Sequence, residues 1–422
     1  MPRLVNVAEL LMDFSRKSRK ERAEAVKKLD GDLKEAVRKD MVVHFGTVMS
    51  TIAKRGGRHK VHSERPKNVF SAFGWSKIDY LYRLEKDDSR DVFKAFGIEK
   101  NMTPYAAAEV ARLGVSLGSF KETHDTMLEL KCGSLSISKI RNITLAAGEA
   151  ALKEQENPVM DIREYSGAKT RTPKGARAVP RTLVGMGDGT NAPCVKADTK
   201  GIKGKNTDEA GSRQLRALSF CEYMNVTKEG VPLPIPGSFS YAVTDKGIPE
   251  MTSLARLHGV ARGYGTVERM QCVADGEEAL EKAFRDAFPE AIFTNDFMHA
   301  SGYASKCIEA LGIENAHREY MICRGIMLRI GAGSVVSRIK RLYAERLEQS
   351  PEAKSALDYL DKRRGNMNYG WLRKNGYYIS SAHIEAAARI LVARRCKQAG
   401  MHWRHHNAAR IAALIAKYRS AA

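Results

Sequence analysis

The chain has 422 residues and 43% of them are hydrophobic, which is enough for two or three domains with buried cores. Its 70 Lys and Arg exceed its 49 Asp and Glu, and the net charge of +21 favours nucleic acid as a partner over an anionic membrane. No apolar run approaches the roughly 20 residues of a membrane span, and the N-terminus lacks a signal peptide, so we expect a cytoplasmic protein. The seven cysteines never have C-x-x-C spacing, which argues against a zinc knuckle or a disulfide framework and makes them core residues.

Residues 1–102 are predicted to form a basic, helical N-terminal region. The apolar residues Val26, Leu29, Leu33 and Val37 recur there at helical intervals within a charge-rich segment. The segment 53–67, AKRGGRHKVHSERPK, is predicted to be a basic loop.

Residues 103–154 have the outline of a helix-turn-helix. Thr103 precedes Pro104 at the start of a first helix, a short second helix follows, and Ser136 is placed to cap a third. The third helix is expected to point Ile137, Ile140 and Ile143 inward. The outward side chains that would contact DNA are Lys139, Arg141 and Asn142. An ordinary three-helix core explains the spacing equally well, and only the charge of the chain favours DNA.

A basic linker, 155–180, gathers Pro, Gly, Lys and Arg, and beyond it the apolar pattern changes to that of strands. Strands are predicted at 183–186, 215–220, 239–243, 270–275 and 291–294, with helices at 251–262 and 279–287. This order predicts an α/β domain with a mixed five-stranded sheet, as in ribonuclease-H-like catalytic domains, preceded by the all-α helix-turn-helix region.

Three acidic residues stand where this domain would hold a catalytic site. Asp188 and Asp275 each end an apolar strand, and Glu385 lies one turn into a later helix that carries no further acid. Carboxylates suit Mg²⁺, and two divalent ions about 3.5–4 Å apart stabilise both oxygens of a phosphodiester displacement. We therefore predict that these three acids bind two Mg²⁺ or Mn²⁺ ions.

Each acid also has an ordinary explanation. Asp188 and Gly189 form a turn sequence, Asp275 suits the N-cap of the next helix, and Glu385 is spaced to pair with Arg389. The coincidence of all three at element boundaries in a basic chain favours the catalytic interpretation.

Three segments resemble the catalytic blocks of bacterial insertion-sequence DDE transposases, especially the ISKra-like group: GMGDGTNAPCVKADTKGIKGK, CVADGEEALEKAFRDAFPEAIFTNDFMHA and NYGWLRKNGYYISSAHIEAAARILVARRCKQAGMHW. The similarity covers roughly residues 103–415. Gly400, Met401 and Trp403 match the end of the last block, whereas Ser380 and Ser381 replace its usual Ser-Gly pair. The resemblance implies a bacterial, nucleoid-associated transposase whose catalytic ligands are the three acids.

The resemblance implies further roles. It selects Asp296 and His299, an Asp-x-x-His pair, to contact substrate phosphates or steady the metal ligands, with a helix cap as the ordinary alternative. It divides the rest of the chain into a first catalytic part, 181–299, an α-helical insertion, 300–375, and a last part, 376–422, with the catalytic helix and a basic tail. The insertion would hold a transposon end or a dimer partner.

Cations close to the acids are predicted to contact the DNA backbone. They are Lys196, Lys200, Lys203 and Lys205, and in the last helix Arg389, Arg394, Arg395 and Lys397. Trp403 would stack on an unpaired base, or else pack in the core.

The sequence therefore predicts a DNA transposase that binds terminal inverted repeats, cleaves the 3′ ends and transfers them to target DNA. Its partners would be double-stranded DNA and a second copy of the chain, in a homodimer or larger assembly. Two alternatives stay open: a ribonuclease-H-like nuclease without strand transfer, and a non-catalytic DNA-binding regulator.

Overall fold

A computed structural model describes residues 18–54, 61–83, 92–158, 174–204 and 208–420. The chain divides into two compact units, Met1–Thr144 and Leu145–Ala422, which are described separately below. None of the helices in these ranges is both long enough and apolar enough to cross a membrane. All seven cysteines are free, and all but Cys132 are buried, as predicted.

The first unit combines helices with a β-hairpin. Its elements are α1 (Arg19–Lys54), β1 (Val61–Ser71), β2 (Gly74–Arg83), α2 (Val92–Ala95), α3 (Pro104–Ser116), α4 (Phe120–Glu129) and the first part of α5 (Ile137–Gln155). The prediction of a helical region over residues 1–102 with a basic loop at 53–67 is wrong from residue 61 onward, where β1 pairs antiparallel with β2. The charges of β1 are compatible with a strand because Arg65 and Lys67 lie over aromatic rings, 3.8 Å and 4.0 Å from the ring centroids of Tyr82 and Phe93.

The three helices predicted between residues 103 and 154 are confirmed. Thr103 caps α3, with Pro104 in its first turn, and the Ser136 hydroxyl accepts a hydrogen bond of 3.2 Å from the Lys139 amide at the start of α5. Ile140 is fully buried, but Ile137 is 43% exposed and does not point inward as predicted. These helices share one core with the hairpin residue Phe70.

The second unit is built on a six-stranded mixed sheet. Its strands are β3 (Arg177–Pro193), β4 (Ser212–Val226), β5 (Pro232–Pro234), β6 (Ser240–Thr244), β7 (Arg269–Ala274) and β8 (Ile292–Asn295). The order is β5-β4-β3-β7-β8, with β6 also paired to β4. β3, β7 and β8 run parallel, whereas β4 is antiparallel to β3, β5 and β6. All five predicted strands are present, and the short β5 is the addition.

Helices of the second unit cover the sheet and extend beyond it. The sheet helices are α6 (Lys196–Thr199), α7 (Ile248–Ala261), α8 (Glu278–Ala287), α15 (Ala382–Ala388), α16 (Arg394–Cys396) and α17 (His405–Arg419), with a π-helical stretch, Arg389–Ala393, between α15 and α16. α7 and α8 pack on the apolar core of the sheet through Met251, Leu280 and Phe284. α15 contacts β3 and β4, and α17 contacts β6.

The predicted helical insertion is also confirmed. It consists of α9 (Phe297–Ala310), α10 (Ala316–Arg329), α11 (Ala332–Leu342), α12 (Ala344–Gln349), α13 (Pro351–Arg363), a short 3₁₀ turn (Arg364–Asn366) and α14 (Tyr369–Lys374). Its buried residues, among them Cys323, Val335 and Leu357, form a core separate from that of the sheet. The insertion is therefore a packed subdomain between β8 and α15.

Candidate metal centre

Three aspartates lie in a row on three neighbouring parallel strands. Asp275 and Asp296 directly follow β7 and β8, whereas Asp188 lies within β3, just beyond its pairing with β7, and β3 continues to Pro193. The prediction that Asp188 ends its strand is therefore wrong. The last residue pairs of the two ladders are Met186 with Val273, between β3 and β7, and Ala274 with Asn295, between β7 and β8. Because parallel strands keep their register, continuing each strand places Asp188 beside Asp275 and Asp275 beside Asp296. The ends of parallel strands are a common location for ligand sites in α/β sheets.

Asp296 is fully buried and held by several hydrogen bonds. One carboxylate oxygen, Oδ2, accepts from the His299 amide at 2.7 Å and lies 3.0 Å from His299 Nδ1, and the other, Oδ1, accepts from the Ser381 amide at 2.8 Å. Burial acts to raise the pKa of Asp296, but the bonds from the His299 ring and from the Ser381 and His299 amides outweigh it and hold this pKa below its ordinary value. Asp296 is therefore an ionised carboxylate that joins α9 to α15.

Asp296, His299 and Glu385 form a cluster that could hold a metal ion. Their ligand atoms all lie within 4.8 Å of one another. The Ser381 hydroxyl donates to Glu385 Oε1 at 2.9 Å and so orients the glutamate toward the buried aspartate. The hydrogen bond to Asp296 raises the pKa of His299, with burial opposing it and the charges of Asp275 and Glu385 adding to it.

The two other predicted ligands lie close enough to this cluster to interact with it electrostatically. Burial and the negative charge of Asp275, with a smaller contribution from Glu385, raise the pKa of Asp188 to about 6, although a hydrogen bond from the Gly189 amide opposes them. Asp275 Oδ1 accepts from the Glu277 amide at 3.0 Å, but Asp275 is not the N-cap expected as its ordinary explanation, because α8 begins at Glu278 and its N-cap is Glu277. The structure thus brings the four predicted acids and the His299 imidazole together. The tightest group among them is Asp296, His299 and Glu385.

The ordinary explanation for Glu385 is not supported. No ion pair joins it to Arg389 anywhere in the described part of the second unit. The capping role of Asp296 is present, since it is the N-cap of α9, and it coexists with the position beside Glu385.

Residues of α13 that sequence reasoning missed hold the loop after β7. The Tyr359 hydroxyl donates to the Asp275 carbonyl at 2.8 Å, and Arg363 Nε donates to the Gly276 carbonyl at 3.1 Å. Gly276 has a φ of +98°, and a Cβ there would collide with the Tyr359 hydroxyl. Neither residue has a local sequence signal, because their partners lie more than 80 residues away.

Most of the predicted DNA-contacting residues are exposed to solvent. They are Arg141, Asn142, Lys196, Lys200, Lys203, Arg389, Arg394 and Lys397, with Lys139 partly exposed. Lys397 Nζ donates to the Thr190 hydroxyl at 2.9 Å, two residues beyond Asp188, which places this cation near the acids. Lys205 lies outside the described residues.

Arg395 corrects the prediction of a DNA contact, whereas Trp403 has the packing role that was the alternative to base stacking. Arg395 is only 2% exposed, and its guanidinium lies 5.4 Å from the Trp403 ring centroid, so its charge is directed into the protein. The Trp403 indole donates to the Cys396 carbonyl at 3.2 Å, and its amide donates to the Pro193 carbonyl at 3.0 Å. Both residues therefore serve to fix the C-terminal segment on β3.

Comparison with known proteins adds nothing to these observations. No protein-family model matches the chain, and no curated protein is significantly similar to it.

Proposed function

We propose that this protein is a DNA transposase that cleaves and joins phosphodiester bonds with the help of divalent metal ions. The observation that carries the proposal is the row of Asp188, Asp275 and Asp296 side by side on adjacent parallel strands, with Glu385 and His299 facing it. Site chemistry of this kind is independent of family assignment, because several converging carboxylates are costly to the fold unless a cation neutralises them.

The sheet supports a ribonuclease-H-like assignment. In that arrangement an antiparallel group of strands, here β6, β4 and β3, is followed by a helix and two further strands parallel to the first, here β7 and β8. The helix that carries Glu385 contacts β3 and β4, so the last acid approaches the strand on which Asp188 lies.

The donor set fits hard divalent cations. Carboxylate oxygens from Asp188, Asp275, Asp296 and Glu385 are the ligands preferred by Mg²⁺ and Mn²⁺, and one imidazole is compatible with Mn²⁺ in particular. When bound, such ions stabilise the attacking and leaving oxygens of a phosphodiester displacement.

The protein's own groups have defined tasks in this proposal. Asp296 fixes the His299 ring through Nδ1, which leaves Nε2 directed away from the carboxylate to contact a cation or a phosphate oxygen. Ser381 orients Glu385, and Tyr359 holds the backbone of Asp275. Asp188 must release its proton before it can act as a ligand, and its pKa in the metal-free protein is raised to about 6.

The assignment to a transposase rather than to a general nuclease rests on the resemblance of the three acidic blocks and on the net charge of +21. Transposition joins two DNA ends, so the proposal includes an assembly of at least two copies on DNA.

The test uses the purified full chain with DNA carrying the inverted repeats that flank its gene, a target plasmid and Mg²⁺ or Mn²⁺. We expect 3′-end nicks and joined products from the wild type, and neither product from Glu385→Gln with DNA binding retained. Glu352→Gln, an exposed glutamate on α13, is the matched control and should keep full activity. Nicks without joined products would reduce the proposal to a nuclease, and binding without metal-dependent cleavage in the wild type would refute it.

A further inference from the structure

A basic cleft lies in the second unit, apart from the metal centre. It has a volume of about 470 Å³. Five cations line it: Arg177, Lys228, Arg329, Arg373 and Lys374. Glu229 is the one carboxylate among the lining residues. Within the described ranges none of the five cations forms an ion pair, and Glu229 offsets one of the five charges, so the cleft keeps an excess of positive charge.

The cleft is built from four segments fixed by backbone contacts. Arg177 donates to the Lys374 carbonyl at 2.7 Å, and Arg373 donates to the Glu229 carbonyl at 3.2 Å. Two glycines allow the close approach, since a Cβ at Gly230 would collide with the Arg373 carbonyl and one at Gly370 with the Arg329 carbonyl. The cations are therefore held around one concavity and are not scattered on mobile loops.

The cleft and the candidate metal centre lie at opposite ends of the sheet. Arg177 is the first residue of β3 and Asp188 follows eleven residues later, while Lys228 follows the end of the antiparallel β4. The paired strand β4 covers the same interval in nine residues, from Val226 to Ala217, because the register shifts between Ala178 and Thr182. At about 3.3 Å per residue, Arg177 and Asp188 are therefore separated by roughly 30 Å of strand. Since duplex DNA rises about 3.4 Å per base pair, roughly nine base pairs of one DNA would reach from one site to the other.

We propose that this cleft binds the phosphate backbone of DNA about one helical turn away from the phosphodiester at the acidic cluster. Arg and Lys at an open, unpaired concavity match the geometry and charge of successive phosphates. The proposal rests on the proposed function only for the choice of DNA as the polyanion. It assigns a contact surface separate from the cations of α15, α16 and the segment after β3.

The test compares two triple variants that each remove three positive charges. The cleft variant is Arg177→Gln, Lys228→Gln, Lys374→Gln. The control is Arg341→Gln, Lys282→Gln, Lys306→Gln, which changes exposed cations outside the cleft that form no ion pair among the described residues. Affinity for a 30-bp duplex is measured without metal over a range of KCl concentrations, and thermal unfolding verifies that both variants fold.

We expect the slope of log Kd against log salt to become shallower by about 2–3 in the cleft variant, because each lost phosphate contact removes about 0.9. The slope of log Kd against log salt for the control variant should differ from the wild-type slope by less than about one. Equal slopes in the two variants would overturn the proposal. So would a cleft variant that keeps the duplex affinity of the wild type but loses binding to phosphatidylserine vesicles.

Failure of this inference is separable from failure of the proposed function. If the wild type shows no cleavage but the cleft variant has a shallower salt slope, the proposed catalytic activity is refuted and the proposed DNA contact of the cleft stands. Normal cleavage by the wild type with unchanged salt slopes in the variants would refute only the proposed DNA contact of the cleft.

Discussion

The acids of the metal centre illustrate a conflict between folding and function at single residues. Asp188 is partly buried beside Asp275, and both burial and this like charge raise its pKa to about 6 from an ordinary value of 3.8. A carboxyl whose pKa is higher in the folded state binds protons more tightly there, so its ionisation destabilises the fold as pH rises between these two values. A cation in the site would reverse this penalty by binding the ionised form.

Asp188→Asn should therefore stabilise the metal-free protein. A shift of about two pKa units corresponds to at most about 3 kcal/mol, and solvent screening reduces it to about 1–2 kcal/mol. We expect a higher Tm than the wild type at pH 7.5, with the difference vanishing below about pH 4, in calorimetry with EDTA. Asp286→Asn, an exposed aspartate on α8, is the control and should change nothing. A lower Tm for Asp188→Asn at pH 7.5 would contradict the raised pKa.

The pair of His299 and Asp296 provides a second test at this scale. The pKa of His299 is raised chiefly by its hydrogen bond to Asp296, so the stabilising contribution of the pair is complete below the ordinary histidine pKa and is lost as pH rises through the folded value. Asp296→Asn should lower the pKa of His299, as measured by NMR titration of the imidazole in the metal-free protein. Asp286→Asn again serves as the control. An unchanged titration in Asp296→Asn would show that the ring is not held by this carboxylate.

At the scale of elements, the helical insertion supports the metal centre and does not merely interrupt the domain. α13 reaches the loop after β7 through Tyr359 and Arg363, and α14 reaches the end of β8 through the Tyr369 hydroxyl, which donates to the Asn295 carbonyl at 3.1 Å. These contacts fix the loops that carry Asp275 and Asp296. The insertion therefore positions two of the acids. The one side chain that it contributes to the metal centre is His299.

Tyr359→Phe tests this positioning role. Loss of the hydroxyl frees the Asp275 carbonyl, and we expect metal-dependent cleavage or metal affinity to fall by about 10–100-fold with about 1 kcal/mol of lost stability. The readouts are the metal concentration at half-maximal cleavage and the Tm. Tyr320→Phe removes a comparable hydroxyl contact, the 3.0 Å bond to Ser301, and should cost similar stability while keeping the metal dependence of the wild type. An equal change in metal dependence for both variants would mean that Tyr359 is only structural.

Some of these elements could be predicted from the sequence and others could not. β3, β4 and β7 were predictable because their buried centres are rich in apolar residues, and α8 was predictable from its one apolar face. β1 was not, because its charged residues become compatible with a strand only through rings supplied by β2 and α2. The π-helical stretch after Glu385 has no local signal either, since it depends on how α15 and α17 pack around the sheet.

For the molecule as a whole, the location of the site followed from topology. Asp188 and Asp275 could be placed together because each follows an apolar run, and the parallel register of β3 and β7 brings the two positions side by side, although β3 itself continues to Pro193. The share of Asp296 in the cluster was underestimated, because its burial and its bond to the Ser381 amide depend on a contact across 85 residues. Arg395 was misassigned for the same reason, since its burial against Trp403 cannot be read from a run of cations.

The cation excess of the whole chain leads to a final prediction about salt. Six exposed cations of the second unit lie in the segments around Asp188 and Glu385: Lys196, Lys200, Lys203, Arg389, Arg394 and Lys397. If each displaces one counterion from duplex DNA, the slope of log binding constant against log salt is about −5, and contacts from the basic cleft would make it steeper. The measurement is fluorescence anisotropy of a 30-bp duplex from 50 to 300 mM KCl without metal. A peptide nucleic acid of the same sequence, which has a neutral backbone, is the control and should not bind. A slope shallower than about −2 would mean that the charge of this chain is not used to hold DNA, and the proposed function would lose its substrate.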